Sequence, residues 1–103
     1  MRKTVEIKRC LVCSTAHMTI ADNVTLELIA NCTSEKYNWI MQYEYGFVID
    51  LWGYRYIVLR LKALGLSKAF RKFVYSMIIK HDLNMIQFDA DGDTIDEMPT
   101  YYW

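Results

Sequence analysis

Apolar and polar positions alternate strictly between residues 37 and 51, and this is the clearest pattern in the chain. Every odd position there is aromatic or aliphatic, a period of two that is typical of β structure with one buried face. A single strand of that length would extend roughly 50 Å, so we expect a hairpin that turns near Gly46. A three-residue loop, Glu44-Tyr45-Gly46, keeps the odd positions on one face and gives glycine the left-handed loop position. A strand kinked at Gly46 is the alternative. The hairpin pairs would be Tyr43 with Phe47, Met41 with Ile49 and Trp39 with Leu51.

Helical patterns lie on both sides of this hairpin. Thr19 followed by Asp22 has the form of an N-cap with an acid three residues on, and the helix should end near residues 32–34. Ser67 is the expected N-cap of a second helix, over residues 67–80, whose opposite face is basic. Its apolar stripe follows the i, i+3, i+4 spacing of a buried helix face. The stripe comprises Phe70, Phe73, Val74, Met77 and Ile78. Residues 54–64 are compatible with either a strand or a helix.

Three further strands complete the predicted fold. Residues 5–14 form a buried strand and residues 85–90 another, followed by a two-residue turn at Asp91-Gly92. Residues 93–97 would then return along the preceding strand and pair Ile95 with Phe88. The order of elements is β-α-β-β-α-β-β, with two main helices and mostly antiparallel pairs. We therefore predict an α+β fold, a two-layer sandwich, with residues 1–103 as a single domain.

Composition places the chain among folded proteins and charge suggests a partner. Of the 103 residues, 53% are apolar, well outside the disordered regime. No apolar run approaches the roughly 18 residues of a membrane span, so no membrane partner is expected. An odd number of cysteines without a signal peptide indicates a reduced, cytoplasmic protein. The formal net charge of zero hides a segregation: residues 54–80 hold seven bases and no acid, and residues 81–103 hold six acids and no lysine or arginine.

Two groups of residues have the composition of metal sites, but neither has the right spacing. Cys10, Cys13, His17 and Cys32 could supply zinc ligands, yet Cys10 and Cys13 lie three apart in a predicted strand and should point to opposite faces. We interpret the cysteines as core residues. The run of aspartates from Asp89 lacks the glycine and glutamate positions of an EF-hand, and a hairpin turn explains it. We expect no metal and no cofactor.

A few residues would be compatible with catalysis or with nucleic-acid binding. Ser14 and His17 lie between a strand and a helix and could act as nucleophile and base, although no partner acid can be assigned. A capped strand-to-helix turn is the simpler interpretation. The basic residues Lys68, Arg71 and Lys72, together with Arg55, could track phosphates. A solvated helix face explains them as well, and nucleic acid is not favoured because the net charge is zero.

Three short motifs together resemble a known family. They are Ser14-Thr-Ala-His17-Met-Thr19, Glu44-Tyr-Gly-Phe-Val48, and Phe88-Asp-x-Asp-Gly92 followed by Ile95-Asp-x-Met-Pro99-Thr-Tyr-x-Trp103. The pattern spans most of the chain and resembles a family of small, uncharacterised proteins from phages, plasmids and integrated elements, known as a domain of unknown function. The resemblance implies a mobile-element setting and carries no activity with it. Small accessory proteins in that setting are often anti-CRISPR or anti-restriction inhibitors, which is an analogy from context.

We therefore predict a non-enzymatic protein-binding module whose partner is a host protein or defence complex. The expected partner-binding residues are Asp89, Asp91, Asp93, Asp96 and Glu97. A solubilising edge that deters strand pairing is the plainer explanation of these acids. A small enzyme using His17 with Ser14 or the terminal acids, and a nucleic-acid binder using the basic helix, are the alternative functions. An apolar excess at Trp52, Tyr54, Tyr56, Ile57 and Ile79 would suit a homodimer.

Overall fold

The sheet of the computed structural model, which describes residues 5–51 and 56–103, has four strands in the order β1-β4-β3-β2. In chain order the elements are β1 (Cys10–Ser14), α1 (Ile20–Ala30), β2 (Ile40–Tyr43), β3 (Gly46–Asp50), α2 (Ile57–Ala63), α3 (Lys68–His81) and β4 (Met85–Asp89), with short 3-10 turns at Thr15–His17 and Glu35–Tyr37. β1 pairs with β4 in parallel, and the other pairs are antiparallel. The predicted fold class, a two-layer α+β sandwich, is confirmed.

One face of the sheet is buried against the helices. Phe88 lies near its centre, where its ring is 5.4 Å from that of Phe70 and 5.9 Å from that of Phe73 between centroids. Leu26 of α1 and Ile57 of α2 belong to the same cluster, so all three helices contribute to one core. The apolar stripe predicted for α3 is buried as expected. The opposite face carries exposed side chains of β1 and β2, and no helix in the described ranges covers it.

The helix starts were predicted correctly because each depends on local hydrogen bonds. The backbone N–H of Asp22 donates to Thr19 Oγ1 at 3.1 Å, and the N–H of Phe70 donates to Ser67 Oγ at 3.1 Å. α1 ends at Ala30, slightly earlier than expected. The ambiguous stretch contains a helix, α2, from Ile57. Residues 52–55 lie outside the described part of the chain.

The predicted pairing of the central hairpin is wrong. The pairs are Tyr43 with Gly46, Gln42 with Phe47, Met41 with Val48 and Ile40 with Ile49, so the loop has two residues, Glu44 and Tyr45. Even positions of β2 therefore share the buried face with odd positions of β3. The expectation failed because it assigned Gln42, as a polar residue, to the solvent face of the sheet, whereas Gln42 pairs with the buried Phe47. β2 is an edge strand, and Gln42 stays exposed there, where its side-chain oxygen accepts a hydrogen bond of 2.8 Å from Asn31.

Glycine is required at position 46 because no side chain fits there, and not because of the loop conformation predicted from the sequence. Its φ of 159° is close to extended, so the left-handed loop position predicted for it does not exist. A Cβ at this position would overlap the backbone carbonyl of Phe88 on the neighbouring strand. Glycine is therefore needed for the close approach of β3 to β4.

The last predicted strand, residues 93–97, does not form. The chain leaves β4 through a turn in which Gly92 N–H donates to the Asp89 carbonyl at 2.9 Å, and it then crosses the end of β1. A Cβ on Gly92 would lie 2.6 Å from the Cys13 carbonyl oxygen, so glycine permits this crossing. No hairpin is available because β4 lies between β1 and β3, and both of its edges are already paired. Phe88 therefore pairs with Cys13 and Phe47, and not with Ile95.

The first strand is also shorter than predicted. β1 begins at Cys10, and the apolar side chains before it are exposed, with Val5 at 79% and Ile7 at 84% of full exposure. The chain enters the sheet at Arg9, whose backbone N–H donates to the Asn84 side chain at 2.8 Å. The apolar residues that suggested a long buried strand therefore begin before the part of the chain that joins the sheet.

Candidate functional site

Residues 90–103, here called the C-terminal strap, run along the segment that follows β1. Three hydrogen bonds of 2.8–2.9 Å tie the strap to that segment: Ser14 N–H to the Asp93 carbonyl, Tyr101 N–H to the Ala16 carbonyl, and Trp103 Nε1–H to the Met18 carbonyl. Ile95 and Met98 are partly buried against the core. The strap is thus a fixed part of the domain, although it contains neither helix nor strand.

His17 is the central anchor of the strap. Its side chain is 2% exposed and stacks on Phe73, with 4.8 Å between ring centroids. The Ile95 N–H donates to His17 Nε2 at 2.8 Å, and His17 Nδ1 lies 2.8 Å from the Pro99 carbonyl oxygen. Only a neutral ring protonated on Nδ1 satisfies both contacts. The imidazole therefore joins two points of the strap to α3.

The hydrogen bonds of His17 do not favour the alternative in which Ser14 and His17 act as nucleophile and base. Both ring nitrogens of His17 are committed to backbone groups, so neither is available to take a proton from a nucleophile. Ser14 Oγ accepts a hydrogen bond of 3.0 Å from Ala16 N–H and caps the 3-10 turn. The capped strand-to-helix turn suggested by the sequence describes the geometry of Ser14, and the anchoring role of His17 was not foreseen.

Four carboxylates project from the strap. Asp91, Asp93, Asp96 and Glu97 are all exposed, and none of them forms an ion pair with a described base. Glu97 adopts a left-handed conformation, with φ of 69°, inside a turn closed by Met98 N–H and the Ile95 carbonyl. The backbone is fixed on both sides of these residues, so their charges are held in place before any partner arrives.

The β2–β3 loop extends the acidic surface. Ala90 N–H donates to the Tyr45 carbonyl at 2.8 Å, which places this loop beside the first residues of the strap. Glu44 is exposed, and Tyr45 is half-exposed. Sequence reasoning missed Glu44 because it is far from the acidic segment in the chain. The antiparallel pairing of β3 with β4, which the sequence did not reveal, brings this loop to the end of the sheet where the strap begins.

Asp89 differs from the other acids because its carboxylate is used inside the domain. It accepts a hydrogen bond of 2.6 Å from the Tyr43 hydroxyl and one of 2.8 Å from Asp91 N–H. The Tyr43 bond, followed by that from the Asp91 backbone, lowers the pKa of Asp89. Burial, and then the bond to Asp89, raises the pKa of Tyr43. Asp89 therefore stabilises the turn that starts the strap.

The register of the sheet explains how Tyr43 reaches Asp89. Both residues are partners of Gly46, one on each side of β3. Because Gly46 has no side chain, the Tyr43 phenol can extend across it. The Tyr43 hydroxyl also accepts a hydrogen bond of 2.9 Å from the Gln87 side-chain amide. An aromatic residue covering a cross-strand glycine in this way is a recognised stabilising device.

A buried carboxylate, Asp22, links two helices, a role that the sequence analysis did not identify. Asp22 is 2% exposed and accepts hydrogen bonds from Thr19 Oγ1 at 2.9 Å, Ser67 N–H at 2.8 Å and Ser67 Oγ at 2.7 Å. It therefore joins the N-termini of α1 and α3. With its hydrogen bonds supplied from within the domain, Asp22 has a structural role.

The basic residues are divided in their roles. Lys68 and Lys72 are exposed on α3, whereas Arg71 is partly buried and its Nε donates to the Leu66 carbonyl at 3.3 Å. Arg55 lies outside the described residues. The stack of His17 on Phe73 ties the strap to the buried side of α3, and no ion pair among the described residues joins the strap acids to Lys68 or Lys72.

The cysteines do not form a group. Cys13 is buried, which raises its pKa to about 12. Partial burial also raises the pKa of the Cys10 thiol. Cys10 and Cys32 are nevertheless exposed, so the expectation of core residues is wrong for these two. Across residues 5–51 and 56–103, no three His, Cys, Asp or Glu side chains are placed to hold a metal ion.

The residues considered for a homodimer are also scattered. Ile57 is fully buried in the core, so it cannot contribute to an interface. Tyr56 and Ile79 are more than half exposed, as that prediction requires. Trp52 and Tyr54 lie outside the described residues.

In the described part of the chain, no helix has the length and apolar character to cross a membrane.

Fold and site together define a small α+β domain with a hydrogen-bonded, acidic C-terminal strap. Residues 10–103 match the family model described as the C-terminal domain of a family of unknown function, DUF5983, and the chain belongs to that family. This agrees with the resemblance to an uncharacterised family seen in the sequence motifs. None of the curated proteins and none of the solved structures compared with the chain gave a significant match.

Proposed function

We propose that this domain is a non-enzymatic binding module that presents its acidic strap to a basic surface of a partner protein. The observation that carries the proposal is the combination of a fixed backbone with carboxylates that form no ion pair among the described residues. His17, Ser14 and Ala16 hold the strap at points between and beside the carboxylates. Binding then costs little ordering of the chain, which favours affinity.

The surface around the strap also suits protein recognition. Tyr45 lies beside its first residues, and Trp103, half-exposed, is fixed at its end by the hydrogen bond to Met18. Aromatic side chains beside charged groups are typical of the residues that dominate binding energy in interfaces. The acidic surface would steer a cationic partner, and the aromatic residues would supply apolar contact.

The setting we propose is a mobile element, in which the domain inhibits a host defence complex of the anti-CRISPR or anti-restriction type. Such complexes handle nucleic acid and therefore expose basic surfaces. Four carboxylates on a rigid strap, with Glu44 beside them, could occupy such a surface in place of phosphates. The partner is then a host protein, and its nucleic-acid site is the part that is blocked.

The alternative functions have less support. An enzyme using His17 would need a ring nitrogen that is free to accept a proton, and both are engaged by backbone groups. A nucleic-acid binder would carry four exposed carboxylates on the same small domain, and these repel phosphate. Lys68 and Lys72 are the exposed bases of that face in the described chain, since the Nε of Arg71 binds a carbonyl.

The test uses basic host proteins as the probe. A host lysate is fractionated on heparin, and the retained proteins are passed over the immobilised full chain. A strap variant, Asp91→Asn/Asp93→Asn/Asp96→Asn/Glu97→Gln, keeps Asp89 because that carboxylate stabilises the turn. We expect a retained protein that is released by salt and by added DNA, with affinity about tenfold lower or more for the strap variant.

A matched control removes the same charge elsewhere. Glu6→Gln/Glu27→Gln/Glu35→Gln/Asp82→Asn neutralises four exposed acids outside the strap. It should bind as the unmodified domain does. Equal binding by the strap variant and the unmodified domain, or an affinity that is constant across salt, would show that the strap is not the binding surface.

A further inference from the structure

A cleft lies between the Glu35–Tyr37 turn and α2, at the sheet edge opposite β1. It has a volume of about 220 Å³ and is lined by Lys36, Tyr37, Trp39, Arg60, Ala63 and Leu64. A second cleft of about 430 Å³ shares Lys36, Trp39 and Arg60 with it and continues towards Met41 and Asp50. The second volume falls within the range of small-molecule sites, which is about 300–1,000 Å³.

The shared residues pair cations with aromatic rings. The Arg60 guanidinium carbon lies 4.5 Å from the centroid of the Trp39 ring, and Lys36 Nζ lies 5.7 Å from that of Tyr37. A guanidinium over an aromatic ring keeps its planar fork of N–H donors for an anion. In the described part of the chain, neither cation forms an ion pair. The charged groups lining the two clefts are Lys36, Arg60 and Asp50, with an excess of one positive charge.

This lining selects a ligand that combines a planar ring with an anionic group. A purely apolar ligand would remove the Lys36 and Arg60 cations from water without pairing them, which is costly. A small inorganic anion would leave the Trp39 and Tyr37 rings unused. Nucleotides provide both parts, since bases stack on aromatic side chains and phosphate accepts bidentate hydrogen bonds from arginine.

We propose that this cleft binds a nucleoside monophosphate, with the base against Trp39 and the phosphate on Arg60 and Lys36. The site is independent of the strap because it lies at the other edge of the sheet and shares no residue with it. Nucleotide binding would therefore add a small-molecule ligand to a domain whose proposed partner is a protein.

The experiment is a calorimetric titration of the full chain at low salt with AMP, GMP, CMP and UMP. Parallel arms use adenosine, inorganic phosphate and a short single-stranded oligonucleotide. We expect at least one nucleotide to bind about tenfold more tightly than either the nucleoside or phosphate alone. Arg60→Gln and Trp39→Leu should each weaken that binding about tenfold. Trp39→Phe keeps a ring and should lose less.

The matched control is Lys62→Gln, which removes one exposed positive charge from the same helix outside the cleft. It should bind the nucleotide within about twofold of the unmodified chain. The strap variant should also bind normally, so failure of this proposal and failure of the strap proposal are distinguishable. Circular dichroism confirms that each variant is folded. Absence of nucleotide binding, binding of phosphate alone with equal affinity, equal loss in Lys62→Gln, or binding of the oligonucleotide only would overturn the proposal.

Discussion

Replacing His17 by alanine should release the C-terminal strap from the domain. The change removes the acceptor of the Ile95 N–H and the group that contacts the Pro99 carbonyl. It also leaves a cavity beside Phe73, on which the imidazole stacks. Pro99 is exposed, so water can replace its lost hydrogen bond, whereas Ile95 is partly buried and its N–H is harder to satisfy.

The magnitude follows from these two losses. An unsatisfied buried donor costs about 1–3 kcal/mol, and the cavity left by a buried ring adds a cost of similar size. Because Ile95 is only partly buried, the total should lie in the lower part of the summed range, about 2–4 kcal/mol of unfolding free energy lost in His17→Ala. Against a total stability of about 5–15 kcal/mol for such a domain, the variant should still fold.

Two measurements separate loss of the strap from general destabilisation. Urea denaturation gives the change in unfolding free energy, and hydrogen exchange reports on the amides of Ile95 and Tyr101, both of which bond across to the segment after β1. These amides should exchange much faster in His17→Ala under conditions where the amides of β3 stay protected. His81→Ala removes an imidazole from the end of α3 and serves as the control. Unchanged protection of Ile95, or a loss of stability below about 0.5 kcal/mol, would refute the anchoring role.

Two further predictions concern the hairpin and its contact with β4. Tyr43→Phe removes the hydrogen bond that lowers the pKa of Asp89, and a carboxyl with a lowered pKa stabilises the fold only while it is ionised. The stability difference between the two proteins should therefore be full at neutral pH and shrink as the pH falls below the ordinary range of an aspartate; urea midpoints that differ equally at all pH values would contradict this. Gly46→Ala should destabilise the domain by about 2 kcal/mol or more, because its Cβ would overlap the Phe88 carbonyl and force the two strands apart; thermal unfolding measures the change, and a midpoint within about 2 °C of the original would exclude the overlap.

Local signals were read correctly from the sequence wherever the structure depends on neighbouring residues. Thr19 and Ser67 cap helices through hydrogen bonds to residues three positions ahead. The buried stripe of α3 repeats with the helical period and is independent of what it packs against. These features could be predicted because the chain alone contains both halves of each interaction.

Features set by the order of strands could not be predicted in the same way. The Asp91-Gly92 turn is a good hairpin signal, but a hairpin needs a free edge on β4, and the parallel pairing with β1 removes it. The register of the first hairpin failed for a related reason, since Gln42 is acceptable on the helix side only because β2 is an edge strand. Neither fact is present in any short segment of the sequence.

In the candidate site, too, local features could be predicted from the sequence and long-range contacts could not. The acids of the strap were visible as a run of charge, but three properties of the surface were not. Asp89 is held by Tyr43, Glu44 joins the surface through the β2–β3 loop, and His17 fixes the strap. Each depends on contacts between residues that are more than 40 positions apart or on the position of β4 in the sheet.

The position of β4 also bears on why the acids are present. A row of charges that deters strand pairing should lie on an exposed edge strand, and β4 is central. Neutralisation within the domain is not their role either, since the ion pair found in the described residues, Lys8 with Glu6, involves neither charged segment. The strap carboxylates repel one another at a cost to the native state, and Glu97 adds a left-handed backbone. A cost that no ion pair among the described residues offsets supports the proposal of a cationic partner outside the domain.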